Sequence, residues 1–161
     1  MKYSVVLLLL FCSACFGVSL RTDSDSQSFA ELNSVQEMMH AYYEAFNVDD
    51  FQVITESWHT PGWVSVGEAS HVMLNSKEVD DFYRGLLSKI RSEGYSHSQL
   101  IFEEFELVNE GCALCRITFT RFLENGEVME PKVRGAHYTI LKRDGKWGIN
   151  ALILDADPHS R

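Results

Sequence analysis

The chain holds 161 residues, with 14 Lys and Arg against 23 Asp and Glu and a formal net charge of −9 with histidine neutral. That balance repels nucleic acid and anionic lipid and argues against both as partners. The length supports one domain with a real core and hardly two.

Lys2 precedes the apolar run VVLLLLFCSACFGVS, which is too short to span a bilayer and ends in small residues. It reads as a secretory signal peptide over residues 1–19, cleaved after Gly17 or Ser19 to release a secreted or periplasmic protein. A rival reading takes CSAC as a lipoprotein box with Cys15 acylated, and only then is a membrane anchor expected. Residues 21–28, RTDSDSQS, are polar and aperiodic, and the segment 20–28 is expected to form a disordered, solvated leader. The domain proper is placed at 29–157, with a short tail at 158–161.

Order is expected from Phe29. Two capping boxes, Ser28 to Glu31 and Ser34 to Glu37, open a first helix in which Leu32, Val35, Met38, Met39, Tyr42, Tyr43 and Phe46 recur at spacings of three and four. The acidic break NVDD ends it, and Asp49 and Asp50 supply an N-cap and a favourable charge for a shorter second helix running towards Trp58. Pro61 and Gly62 are expected to stop that helix. WVSVG, residues 63–67, reads as a short strand with HVML beside it. Asn75, Ser76 and Glu78 then cap a third helix whose buried face is Val79, Phe82, Tyr83, Leu86, Leu87 and Ile90 and which stops at Gly94.

From there the apolar period changes to two. Turn signals at residues 109–111, 125–126 and 144–145 divide the remainder into a meander of strands near 96–108, 112–123, 128–142 and 146–154. Cys112 and Cys115 fall in one strand, GCALCRITF, with side chains on opposite faces, so a disulfide between them is not expected. No second Cys/His pair lies nearby to make them a metal or redox pair. Helices first and strands afterwards predict an α+β fold, with three N-terminal helices on one face of a strongly curved antiparallel sheet that ends in the four-strand meander.

Strand alternation then assigns candidate site residues. Glu103 shares a face with Ile101, Phe105 and Leu107, Arg121 with Cys115, Ile117, Phe119 and Leu123, Arg134 with Ala136, Tyr138 and Ile140, and Asn150 with Leu152 and Leu154. One reading pairs Glu103 with Arg121 as a structural ion pair and leaves Arg134 in water. The other converges these groups in a mostly apolar pocket, where two arginines against one glutamate suit a ligand carrying a carboxylate or other anionic oxygen. Trp58, Trp63 and Trp147 are core or pocket-wall residues. His59 and His71 flank the first short strand, either as acid/base groups at a cavity mouth or as solvated loop histidines. There is no H-x-H, H-x-x-x-H or Cys/His cluster, no phosphate loop and no G-x-S-x-G elbow, so neither a metal nor a cofactor is expected.

The order of NVDDFQVITESW, SKEVDDFYRGLL and RDGKWGINALIL resembles the nuclear transport factor 2-like superfamily over about residues 32–155, in particular its SnoaL-like and ketosteroid isomerase-like branches. The resemblance implies a cone-shaped fold with a pocket between helices and sheet. In ketosteroid isomerases a first-helix tyrosine donates to the developing oxyanion, and Tyr42 stands in that place. The base aspartate would fall on the first short strand, where this chain has Val64 and Val66 around Ser65, and the second acid would fall at Ala136. An oxyanion donor without a base cannot run that isomerisation, so Tyr42 is expected to be a pocket or core residue bonded to a neighbour such as Glu103. Three functions follow. The first is an exported binder of a small, mostly apolar molecule, with Tyr42, Trp58, Trp63, Glu103, Arg121, Arg134, Tyr138 and Asn150 around the ligand. The second is a cyclase, dehydratase or isomerase using His59 or Glu103 as base and Tyr42 and Arg134 as oxyanion stabilisers. The third is an interaction domain that forms a homodimer through its outer sheet face, where Thr118, Thr120 and Phe122 lie beside His137 and Thr139.

Overall fold

A computed structural model describes residues 19–155. The expected signal peptide, Cys15 and the tail at 158–161 lie outside the described residues, apart from Ser19 at the edge. The elements run α1 (Ser19–Val48), α2 (Phe51–Glu56), β1 (Trp58–Val66), β2 (Ala69–Met73), α3 (Ser76–Ser92), β3 (Tyr95–Asn109), β4 (Cys112–Leu123), β5 (Val128–Arg143) and β6 (Lys146–Asp155). The strands form one open six-stranded sheet in the order β2-β1-β6-β5-β4-β3. All neighbours are antiparallel except β1 and β6, which run parallel. The expected α+β fold is therefore present, with one parallel pair that no hairpin turn could announce.

Local chemistry explains most boundaries. Asp50 caps α2 by accepting from the amide of Val53 at 3.2 Å. Asp49 does not share that work: it adopts φ 58° and its carboxylate turns to Arg91. The start of α3 is capped from both sides, since Asn75 accepts from the Glu78 amide at 3.1 Å while the Glu78 carboxylate accepts from the Leu74 amide and the Asn75 side chain, each at 2.8 Å. At the β5–β6 hairpin Asp144 and Gly145 have φ of 51° and 79°, the left-handed pair that a two-residue turn matched to strand twist requires.

Three expectations change. Helix α1 begins at Ser19, ahead of Phe29, so the polar leader is helical although Ser26 to Ala30 are exposed as a solvated segment would be. Ser34 is therefore helix interior, its Oγ donating back to the Ala30 carbonyl at 3.0 Å rather than capping. Glu31 instead reaches the sheet, accepting from Lys142 Nζ at 2.6 Å and Trp147 Nε1 at 2.8 Å, and these bonds hold its carboxyl below the ordinary range. Finally, Pro61 and Gly62 do not end α2 but lie inside β1, which starts at Trp58 and carries an irregularity before Trp63. Gly62 is needed there because a Cβ would stand 2.9 Å from the Trp58 ring.

The core lies between the helices and one sheet face. Val35, Met39, Tyr42 and Phe46 of α1 and Val79, Tyr83, Leu87 and Ile90 of α3 meet Ile117, Phe119, Tyr138, Ile140, Ile149 and Leu152 of the sheet.

Candidate functional site

Packing between α1, α3 and the inner sheet face leaves a cavity of about 290 Å³. Its apolar wall comes from Phe46, Val64, Phe82, Leu86, Phe119 and Leu152, and its polar interior is dominated by tyrosine. Helix α1 places Tyr42 and Tyr43 side by side, α3 brings Tyr83 and β5 brings Tyr138. The hydroxyls pair off, Tyr42 with Tyr83 at 2.9 Å and Tyr43 with Tyr138 at 2.7 Å. The Tyr42 ring meets those of Tyr43, Tyr83 and Tyr138 edge-on, at 5.4, 6.1 and 6.2 Å between centroids. Burial raises all four phenols, Tyr42 to about 12 and the others well above the ordinary tyrosine value. They are neutral hydrogen-bonding groups across the physiological range.

Arg121 enters from β4. Its residue is 7% exposed, and it is the one buried charged residue among those described. Its guanidinium faces the rings of Phe46, Tyr95 and Phe119 at 5.9, 5.6 and 5.6 Å, and its Nε has no hydrogen-bond partner. Arg134 stands on the same wall because β5 pairs its Arg134 with Phe119 and its Met129 with Arg121, so that residues 130–133 bulge out opposite Thr120. Arg134 Nη2 donates to the Glu130 carbonyl at 2.5 Å, and its Nε is also unpartnered. Burial lowers both arginines from their ordinary value, and for Arg134 the neighbouring Arg121 adds to the effect. Lys89, Glu93 and Glu130 complete the charged lining, and all three are exposed, which marks the mouth.

Arg121, Arg134 and Tyr138 thus line the cavity from the strand faces assigned to them, Tyr42 joins them from α1, and Val64 and Val66 are also on the wall. Other candidates do not reach it. Glu103 bonds His40 of α1 at 2.5 Å in a separate shallow groove, so neither the expected Glu103–Arg121 pair nor a Tyr42–Glu103 bond is formed. His59 points away: its Nε2 lies 3.1 Å from the carbonyls of Leu141 and Lys146, and its ring fills the space that a Cβ at position 148 would need. Trp63 lies on the outer sheet face beside Leu114, Arg116 and His137. Trp58 is buried behind the cavity against Tyr83, with 5.9 Å between ring centroids. Asn150 is the extra residue of a bulge between the Thr139–Ala151 and Ile140–Ile149 pairs, and it donates to the Pro61 carbonyl at 2.8 Å instead of facing the ligand space.

A bulge in β3 also moves a residue between faces: Ile101 is 57% exposed because the strand slips between Leu100 and Phe102. Thr120 keeps the outward parity expected of it, between the cavity-lining Phe119 and Arg121, but is buried, with its Oγ1 donating to the Lys132 carbonyl at 2.7 Å. Sequence reasoning left Tyr43 and Tyr83 out of the site, although Tyr83 shares its helix face with Val79 and Leu87 and Tyr43 adjoins Tyr42. Tertiary packing brings these phenols together, Tyr83 of α3 to Tyr42 of α1 and Tyr43 of α1 to Tyr138 of β5.

Chemically, the interior offers neutral hydroxyl donors and acceptors and a permanent cation. Among the described lining residues the carboxylates are the exposed Glu93 and Glu130, and no histidine is present.

Residues 30–157 match the model of a family described as "NTF2-like protein (DUF6841)". No curated protein matches the chain. Among solved structures, an NTF2-like protein with a cystatin-like fold from Novosphingobium aromaticivorans is 16% identical, with a TM-score of 0.70 over 89% of this chain and 94% of that one. A putative scytalone dehydratase from the same organism is 14% identical, with a TM-score of 0.65 over 85% of this chain and 98% of that one. A protein of unknown function from Mycobacterium tuberculosis is also 14% identical, with a TM-score of 0.67 over 88% and 78% respectively. At these identities the likeness concerns the fold.

Proposed function

Since the chain belongs to that NTF2-like family, we propose that it is an exported, single-domain protein that binds a small, mostly apolar molecule in the cavity between its helices and sheet and does not carry out the ketosteroid isomerase reaction. The observation that carries this reading is the composition of the cavity: apolar walls, hydroxyls that satisfy one another, and no carboxylate or histidine lining the interior to move a proton. Binding needs only shape, apolar area and a few oriented polar groups, all of which are in place. The isomerase reaction needs a base, and Val64 and Val66 line the wall on the strand where the resemblance would place one.

Export by signal-peptide cleavage, or tethering through an acylated Cys15, belongs to the same reading and rests on the N-terminal sequence. A homodimer through the outer sheet face is its companion, supported by Trp63, Leu114 and Ile153, which are 37%, 44% and 47% exposed on that face. The competing reading is a dehydratase or isomerase that uses tyrosine hydroxyls as its only polar catalysts. It is favoured by the hydroxyl pair of Tyr42 and Tyr83, and the likeness to a putative scytalone dehydratase lends it context.

Native mass spectrometry of protein purified from its own export pathway tests these points together. A small molecule that co-purifies and is lost on denaturation supports the binder, and the same spectrum reads the N-terminus and the subunit number. A ligand-free cavity that no apolar molecule stabilises, or a bound molecule that is chemically converted on incubation, removes the binding reading.

A further inference from the structure

Two arginines of this protein have contrasting surroundings. Arg91 is fully employed: it pairs with Asp49 at 2.7 Å and donates to the carbonyls of Asn47, Tyr95 and Ser96. Arg121 is more deeply buried and has no acid and no hydrogen-bond acceptor among the described residues. Its surroundings are the faces of three aromatic rings. Burying a guanidinium is expensive, and ring faces return only part of that cost. A structural arginine is normally satisfied as Arg91 is. The Arg121 Nε is enclosed without a partner and the residue lines the cavity, so an unsatisfied guanidinium borders the ligand space.

We propose that the part of the cavity around Arg121 is a carboxylate subsite, in which the guanidinium fork takes both oxygens of a ligand carboxylate while the phenylalanine and tyrosine rings enclose its apolar body. The proposal deepens the binding reading above and depends on it. Three further observations fit. Arg134, on the same wall and also with a free Nε, places a second positive charge beside the first, and a ligand anion relieves that repulsion. The chain carries a net charge of −9, yet the cavity lining carries Lys89, Arg121 and Arg134 against Glu93 and Glu130, with both carboxylates at the exposed mouth. The planar fork of a single buried arginine matches the geometry and single charge of a carboxylate. With a volume of about 290 Å³, at the low end for small-molecule sites, the cavity suits a monocarboxylic acid with a small aromatic or short aliphatic body.

The test compares matched acids and amides: 3-phenylpropionate with 3-phenylpropionamide, and octanoate with octanamide, by titration calorimetry on wild-type protein and on Arg121→Met. The expected result is that each acid binds wild type on the order of 10- to 100-fold more tightly than its amide, the range for a charge-assisted hydrogen-bonded pair. Arg121→Met should abolish that preference while still binding the amides, and it should melt at or above the wild-type temperature without ligand, because an unpaired buried charge has been removed. Equal binding of acid and amide by wild type overturns the subsite and leaves the apolar cavity standing. Binding of neither class overturns the subsite and the binding reading together. A marked fall in the melting temperature of ligand-free Arg121→Met would mean that the guanidinium serves the fold, which also overturns the proposal.

Discussion

Arg91 Nη2 donates to the Asp49 carboxylate at 2.7 Å, joining the left-handed residue between α1 and α2 to the last turn of α3. Because the same guanidinium bonds carbonyls of Asn47, Tyr95 and Ser96, the ends of α1 and α3 and the start of β3 all meet on one side chain. Arg91→Ala is expected to cost about 2 kcal/mol, most of it from carbonyls that lose a charged donor. The ion pair is partly solvated and is worth less, so Asp49→Asn, which tolerates the same backbone, should cost under about 1 kcal/mol. Urea denaturation of the two variants checks the order, and equal losses would remove the carbonyl contacts from the account.

Tyr42→Phe leaves the buried Tyr83 hydroxyl without its 2.9 Å partner. A loss of about 1–3 kcal/mol is expected, the cost of an orphaned buried donor. Tyr42→Phe combined with Tyr83→Phe should cost clearly less than the sum of the single changes. If the reading of a binder without turnover is right, acid binding at Arg121 changes little in Tyr42→Phe, whereas a tyrosine-based enzyme would lose turnover by about 100-fold.

The tyrosines give the protein an alkaline limit. Burial raises Tyr42 from 10.0 to about 12 and Tyr43, Tyr83 and Tyr138 well above their ordinary value. A phenol with a raised folded value ionises first in the unfolded chain. Its stabilising contribution is complete below pH 10 and is lost as pH rises from there through the folded values. Tyrosinate absorbance should therefore appear late and together with loss of circular dichroism. An early, fully reversible titration of these phenols in the folded state would contradict the burial.

His59→Ala should lower the melting temperature, because the ring bridges the β5–β6 hairpin to β1 through the carbonyls of Leu141 and Lys146. It should leave ligand affinity unchanged, since His59 is absent from the cavity wall. Gly148→Ala probes the same contact from the other side: its Cβ would stand 2.8 Å from the His59 ring, and overpacking of this kind costs about 1–3 kcal/mol. The two changes together should be less harmful than their sum, because shortening His59 makes the room that the methyl group added at position 148 needs.

What could be read in the chain was what neighbours in sequence decide. The span 112–123 of β4 was legible to the residue because Asn109 to Gly111 and Asn125-Gly126 bracket it, and α3 because Asn75, Glu78 and Gly94 fix its ends. Arg121 and Arg134 were legible as inward-facing because each keeps the parity of the buried residues around it. Their lack of an acid was not, since that depends on Glu103 being taken by His40 from a helix far away in sequence. Asn150 and Ile101 were misplaced for a different reason: a single extra residue in a strand reverses every face beyond it, and nothing in the alternation of side chains marks where it occurs.

The place of β6 in the sheet bears on how the protein is made. The last strand to leave the ribosome lies between β1 and β5, parallel to the one and antiparallel to the other. Without it, the β1–β2 pair and the β3–β5 meander each have a bare edge where β6 belongs. Such long-range closure is slow and leaves those edges open to other chains until β6 docks. The protein therefore completes its sheet, and with it the wall that Leu152 and Leu154 give the cavity, only after the codons of β6 have been read.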